Sequence, residues 1–293
     1  MARKNNLDES LPFIEEFFDN SLYKSFTDRK FSLLLDQNRP EWRIVPSKSF
    51  KQVLKYLLAK NLFLENIVHD NDGRPKSIYS WKTENEYSIA MGLKSNSYVA
   101  YYSAAFIHGL TLQIPKTLYI NHEHTASSAS SNSRGSLIQS AIDGAFAKPQ
   151  RKSAEEYTFQ DWRIILTNGM FTNRLGVIQS PEHGDGIHLT DLERTLLDIS
   201  VRPAYSGGVF EVLEAYKRAD DKLDVEKLKR YLTTLNYLYP YHQVIGFYLD
   251  RAGYSDHYTN LFHYDLEHDF YLTYNMKLKE YSEKWKLFYP KGM

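Results

Sequence analysis

The stretch from Pro46 to Trp81 constrains the fold of this chain more than any other. Ser47 or Ser49 can cap a helix that opens at Pro46 and continues to Lys60. Phe50, Val53, Leu54, Leu57 and Leu58 recur along it at helical spacing and form one apolar face. Lys48, Lys51, Gln52 and Lys55 fall off that face. After Asn61 come two strand-like pieces, Leu62 to Val68 and Lys76 to Trp81. Between them, His69-Asp-Asn-Asp-Gly-Arg-Pro75 is a turn sequence, with Asp72-Gly73 as the hairpin signal.

Two helical segments precede this unit. The first is expected over Leu11 to Asn20, with Phe13, Ile14, Phe17 and Phe18 as its apolar stripe. The second is expected from Thr27 to Gln37, carrying Phe31, Leu34 and Leu35. Thr27 or Asp28 can cap it, and Arg39-Pro40 stops it. Trp42, Ile44 and Val45 suit a short strand alongside the hairpin, and Trp42 and Trp81 suit the core. Helix, helix, hairpin is the winged helix-turn-helix order, whose second turn helix fits the major groove of DNA. The expected fold class is therefore α+β: a winged helix-turn-helix over residues 1–86, then a mixed α/β domain over 87–293.

Charge sharpens this reading. The whole chain is formally neutral, yet from Lys24 to Lys82 there are 12 Lys and Arg against 6 Asp and Glu. From Thr83 onward there are 22 against 25. A cationic module joined to a mildly acidic one points to a polyanion partner for the first part. Lys48 and Lys51 sit at the start of the third helix, Lys55 one turn on, and Arg74 and Lys76 on the hairpin. All five suit phosphate neutralisation. Ser47, Ser49 and Gln52 suit hydrogen bonds to backbone or base edges. Asp70 and Asp72, beside the hairpin turn, oppose phosphate contact. Against this stands the plainer reading of a solvated lysine face, or of a winged helix that binds protein.

The chain has no cysteine, which excludes disulfides, thiolate metal sites and cysteine nucleophiles. No stretch approaches the roughly 18 apolar residues that span a bilayer. The basic start is not followed by the apolar run of a signal peptide, so a cytoplasmic location is expected.

The remainder alternates helical and strand-like segments. Tyr98 to His108 reads as a helix ended by Gly109, with His108 packed or capping; Thr117 to Asn121 reads as a strand. Thr125 to Ser136 is rich in Ser, Ala, Asn and Gly, and fits a surface loop, a linker or an anion nest. A helix is expected over Leu137 to Phe146. Lys148, Arg151 and Lys152 then form a second basic cluster, either solvated or beside DNA. Tyr157 to Thr167 and Leu175 to Ile178 read as strands. Thr190 with Glu193 fits a capping box for a helix that buries Leu192, Leu196, Leu197 and Ile199. Further helices are expected over Val209 to Ala219, Asp224 to Leu235, and His242 to Ala252, with Gly253 as the stop of the last. Leu266 to Tyr274 alternates like a strand, and another aromatic run follows at Trp285 to Tyr289.

Neither the acidic residues around Glu193 nor the group His263, Asp265, Glu267, His268 and Asp269 has the spacing of a metal or catalytic constellation. No catalytic residue, metal or cofactor is assigned, and the chain reads as non-enzymatic.

Several of these segments together resemble the AbiEi family of type IV antitoxins and transcriptional repressors. The likeness lies in the Ser49-Phe50 to Leu58 helix, in Tyr79-Ser-Trp81, in Ser103-Ala104 and His108-Gly-Leu-Thr111, and in Gln113-Ile-Pro115. Its most specific element is Thr190-Asp-Leu-Glu-Arg-Thr-Leu-Leu-Asp198, followed by Arg202-Pro203 and Gly207-Gly208. The chain departs from the simplest family pattern in a helical stretch before residue 27 and an aromatic tail after about residue 260. The resemblance implies a repressor that binds inverted repeats in its own promoter and counters a nucleotidyltransferase-like toxin, often without a stable complex. It implies DNA contact for Lys48, Lys51, Lys55, Arg74 and Lys76, and fold maintenance for Asp191, Glu193, Arg194 and Asp198. Two other classes compete: a nuclease that uses the winged helix for targeting, and a winged-helix protein-interaction scaffold.

Overall fold

A computed structural model describes residues 6–125 and 137–293. Most of the Ser/Ala/Asn/Gly-rich stretch, residues 126–136, falls outside the described residues. The architecture is mixed α/β.

The chain opens with helix α1 (Asn6–Asp19), strand β1 (Ser25–Thr27), and helices α2 (Asp28–Asn38) and α3 (Phe50–Ala59). The hairpin β2 (Phe63–Asp70) and β3 (Pro75–Trp81) follows. Thr27 caps α2 as expected, its hydroxyl accepting from the Lys30 amide. Between α2 and α3 the sequence suggested a strand at Trp42 to Val45, but the chain coils there. Trp42 N–H donates to the Asn38 carbonyl, and Arg43 takes a φ of 55°. Ser25-Phe-Thr27 instead pairs with Ile78 to Ser80 of β3. Phe18 is the hub of the core beneath, in ring contact with Phe17, Phe26, Phe31, Trp42, Phe63 and Trp81. Trp42 and Trp81 are buried in it, as expected.

The next elements are α4 (Glu86–Gly92), β4 (Tyr98–Val99), α5 (Tyr101–Ile107), β5 (Thr117–Glu123) and α6 (Gln139–Phe146). The segment expected as one helix from Tyr98 therefore splits: its first two residues pair with β5, and the helix begins at Tyr101. Strands β6 (Glu156–Phe159) and β7 (Trp162–Gly169) form a hairpin where a single strand was expected, turning at Gln160 with φ 51°. Then come β8 (Val177–Gln179) and β9 (His188–Thr190). The helices α7 (Leu192–Val201), α8 (Val209–Arg218), α9 (Val225–Leu235), α10 (Tyr241–Ala252) and α11 (Asp256–Thr259) follow.

One sheet runs through the molecule in the order β1-β3-β2-β6-β7-β5-β4-β9-β8. β5 and β7 are parallel neighbours, Ile120 opposite Leu166. β2 pairs with β6 at His69–Thr158 and Asp70–Tyr157, so the N-terminal hairpin shares a sheet with the rest of the chain. Val68 and Ile78 accordingly pack into a second core with Ile89, Leu118, Ile120 and Ile164. A third and larger core gathers α5 to α10 and the C-terminal tail. The strand expected over Leu266 to Tyr274 shortens to β10 (Phe270–Tyr271). It joins β11 (Lys279–Ser282) and β12 (Leu287–Pro290) in the order β10-β12-β11. Among the described residues no helix is long and apolar enough to cross a membrane.

Candidate functional site

The residues singled out by sequence fall into two places. Ser49 is the N-cap of α3 in a reciprocal capping box: Gln52 N–H donates to its hydroxyl, and its own N–H donates to Gln52 Oε1 at 2.9 Å. That exchange satisfies two of the free amides at the helix start and fixes the entry of the chain into α3. The same two side chains are thereby engaged locally. Val53, Leu54 and Leu57 face the core, while Lys51, Gln52 and Lys55 are exposed and Lys48 is half-buried just before the helix. Arg39 at the end of α2 donates to the Lys48 carbonyl at 2.9 Å, tying the α2–α3 connection.

The positive charge of this region is unevenly spent. Residues before Lys24 contribute carboxylates that the 24–82 balance leaves out. Asp8 on α1 lies 3.6 Å from Lys60, and Glu15 and Asp19 reach Lys82. Lys24 is buried against Asp185, and Arg39 pairs with Asp36. Among the described residues, no carboxylate reaches ion-pair distance of Lys48, Lys51 or Lys55, nor of Arg29 and Lys30 in the first turn of α2. Arg29 and Lys30 were not singled out by sequence. Their signal was there: two cations follow Asp28 in the first turn of α2, where the helix dipole disfavours positive charge.

The hairpin cations differ. Asp70 Oδ1 accepts from the Asp72 and Arg74 amides and so builds the turn. Arg74 is exposed at that turn, with Asp72 3.1 Å away. Lys76 is half-buried, its ammonium 5.3 Å from the Tyr157 ring centroid, and burial lowers its pKa. Asn71 donates to the Ala154 carbonyl at 2.7 Å. The hairpin is thus held along β6, and Lys76 is directed at that seam.

The second place is α7. Asp191, Glu193, Arg194 and Asp198 are all buried. Asp191, not Thr190, caps the helix: its Oδ1 accepts from the Arg194 amide at 2.9 Å. Its other oxygen accepts from Tyr231 at 2.7 Å. Thr190 lies one residue too early, at the end of β9, and its hydroxyl meets that of Thr195 at 2.7 Å. Glu193 reaches across to α9, accepting from the Asp224 amide at 3.1 Å and from Lys227 at 2.7 Å. Burial disfavours the Lys227 charge, but Glu193 and Asp191 together hold its pKa well above the ordinary value. Arg194 donates to Asp198 at 2.8 Å and to the Leu175 carbonyl at 2.7 Å. Burial raises the Asp198 pKa against the opposing pull of Arg194. His108, at the end of α5, donates from Nε2 to the Thr190 carbonyl at 2.7 Å, and burial lowers its pKa. These side chains join α5, α7 and α9 to the loop before β8.

His263, Asp265, Glu267, His268 and Asp269 do not converge: His263 Nε2 meets the Lys284 carbonyl, and Asp269 accepts from Tyr281. Among the described residues no three His, Asp or Glu side chains gather as metal ligands would.

No protein-family model matches this chain, and no curated protein does. Among solved structures, it is similar to the crystal structure of the RV2827C protein from Mycobacterium tuberculosis. The match has 13% sequence identity and a TM-score of 0.51, and covers 96% of this chain and 91% of that one. At that identity the likeness concerns the fold alone, an α/β arrangement shared over nearly the full length.

Proposed function

We propose that residues 6–81 are a winged helix-turn-helix that binds duplex DNA, with α3 as the recognition helix. We propose further that the chain is a non-enzymatic autorepressor and antitoxin that counters a nucleotidyltransferase-like toxin. The observation that carries the DNA-binding part is the distribution of unspent charge. Of the cations between Lys24 and Lys82, those at the start of α2 and along α3 have no ionic partner among the described residues. Those facing α1 are paired with carboxylates. Phosphate is the counter-charge such unpaired cations would take. The order helix, strand, two helices and hairpin supports the module's assignment. Arg74 would add a contact from the hairpin turn, while Lys76 serves mainly at the β6 seam. The repressor and antitoxin parts rest on the sequence resemblance to the AbiEi family, in which inverted repeats in the chain's own promoter would be the target.

The test is a titration of the purified protein with its own upstream DNA and with scrambled DNA of equal length, at several salt concentrations. Tighter binding to the native DNA is expected, with affinity falling steeply as salt rises. The double variant K48Q/K51Q should weaken binding to both DNAs and lower the slope of log K against log salt by about 2, near 0.9 for each phosphate left without its lysine. Equal, weak binding to both DNAs sinks the repressor reading. The antitoxin reading is tested separately, by whether co-expression restores growth to cells producing the toxin of the same operon.

A further inference from the structure

One cavity is not used by the proposed DNA-binding role. Its volume is about 660 Å³, and it lies where the parallel strands β5 and β7 end, walled by α7, the segment after α6 and the α9–α10 connection. Pockets that hold small ligands are of this size, and in α/β sheets they form outside the carboxyl ends of the strands.

Its charges are unbalanced. Lys148, Arg151, Arg194 and Arg202 line it, against the single carboxylate of Asp198. Asp198 is bonded to Arg194, four residues back on α7. Arg202, four residues on, is half-buried. Among the described residues it has neither a salt bridge nor a side-chain hydrogen bond; its guanidinium carbon lies 5.8 Å from the centroid of the Tyr205 ring, and its charge acts on Asp198 from beyond ion-pair distance. A half-buried guanidinium with no bonded anion has its donors free for one. A position at the C-terminus of α7 favours a cation there through the helix dipole, but it does not account for Lys148 and Arg151 converging on the same space from another element. Neither of these has an ionic partner among the described residues.

The opposite character is aromatic. Tyr101, Tyr237, Tyr239, Tyr241 and Tyr274 also face the cavity. Tyr101 holds a φ of 52°, a left-handed conformation that a bulky side chain adopts only where its surroundings compel it, and such strain concentrates at ligand sites. Cations and flat rings line the same space, Arg202 lying among the tyrosines, and a ligand that carries both an anionic group and an aromatic ring would engage both.

We propose that this cavity binds a nucleoside monophosphate, with the phosphate held by Arg202, Arg151 and Lys148 and the base laid against the tyrosine rings. Arginine meets phosphate through paired N–H donors, and a base stacks on an aromatic side chain whatever its sequence identity. The site is separate from the α2–α3 face, and its occupancy does not depend on whether that face binds DNA.

Calorimetric titration of the full-length protein with AMP, GMP, CMP and UMP tests the proposal, with adenosine, ribose 5-phosphate and inorganic phosphate as partial ligands. At least one nucleotide should bind, and each partial ligand should bind about tenfold more weakly or worse. R202Q should weaken the nucleotide by about tenfold or more. Because Arg202 closes a helix, the exposed pair K148A/R151A is measured beside it, with circular dichroism to check the fold; it should weaken binding while leaving the spectrum unchanged. No binding of any of the four nucleotides up to about 5 mM overturns the proposal. So does an affinity unchanged in K148A/R151A, or inorganic phosphate binding as tightly as the best nucleotide.

Discussion

Arg194 and Asp198 show how much a single pair of residues carries here. Both are buried, and Arg194 also closes the loop before β8 through the Leu175 carbonyl. Removing one partner leaves the other charged and desolvated, which outweighs the modest net worth of the pair itself. R194A is expected to lower the free energy of unfolding by about 3–5 kcal/mol in urea titration; a loss of under about 1 kcal/mol, the range of a surface ion pair, would show that Asp198 finds another partner or a proton. Sequence marked these residues for fold maintenance. It did not show that Glu193 spends its carboxylate on α9, because Lys227 and the Asp224 amide are more than thirty residues away in the chain.

At the level of elements, local chemistry and packing decide different things. The start of α3 is set locally: Ser49 and Gln52 exchange hydrogen bonds across one turn, and S49A should cost about 1 kcal/mol of stability in thermal or urea unfolding. Under the proposed DNA-binding role, the same change leaves the affinity for DNA nearly intact if Ser49 serves only as a cap, and weakens it if its hydroxyl also meets the backbone of the duplex. The middle of α10 is set by packing. Gly246 faces the fully buried Trp285, and a Cβ at that position would fall 2.1 Å from the indole ring. Helix propensity favours Ala over Gly by about 1 kcal/mol, whereas overpacking a core costs about 1–3 kcal/mol. G246A is therefore expected to destabilise the protein despite the better helix former, as a lower urea midpoint. A higher midpoint would mean that the tail carrying Trp285 can shift. The glycine that sequence picked out, Gly253, acts differently: its φ of 93° stops α10, as its place after Ala252 suggested.

For the whole molecule, the continuous sheet and four histidines held partly or fully out of water matter most. His108, His122, His188 and His242 lie in different parts of the structure, and burial lowers the pKa of each from the ordinary 6.5. A histidine that is harder to protonate when folded contributes stability that is complete above its unfolded pKa. That contribution is lost as pH falls below this value toward the folded one. The urea midpoint should therefore fall between roughly pH 7.5 and 5. H108Q, which keeps a donor for the Thr190 carbonyl, should show a smaller fall than the parent. An equal fall would take His108 out of the account.

Amphipathic spacing, caps and turn residues made α2, α3, the β2–β3 hairpin, α8, α9 and α10 legible, because the forces that start, face and stop those elements act within a few residues. The apolar stripe of α3 and the lysines off it were legible for the same reason. Four features required the folded chain. One is the pairing of β1 with β3, which displaced the strand expected at Trp42 to Val45. Another is the seam between β2 and β6, which engages Lys76. The cancellation of Lys60 and Lys82 by acids of α1 and the meeting of Lys148, Arg151 and Arg202 around one cavity are the others. Each joins residues distant in sequence, and neither periodicity nor a charge count records which distant groups meet. The cationic character of the N-terminal region was written in its composition; which of those cations remain without a partner was decided by tertiary packing, because charge is additive along a chain while ion pairing depends on distances of a few ångströms.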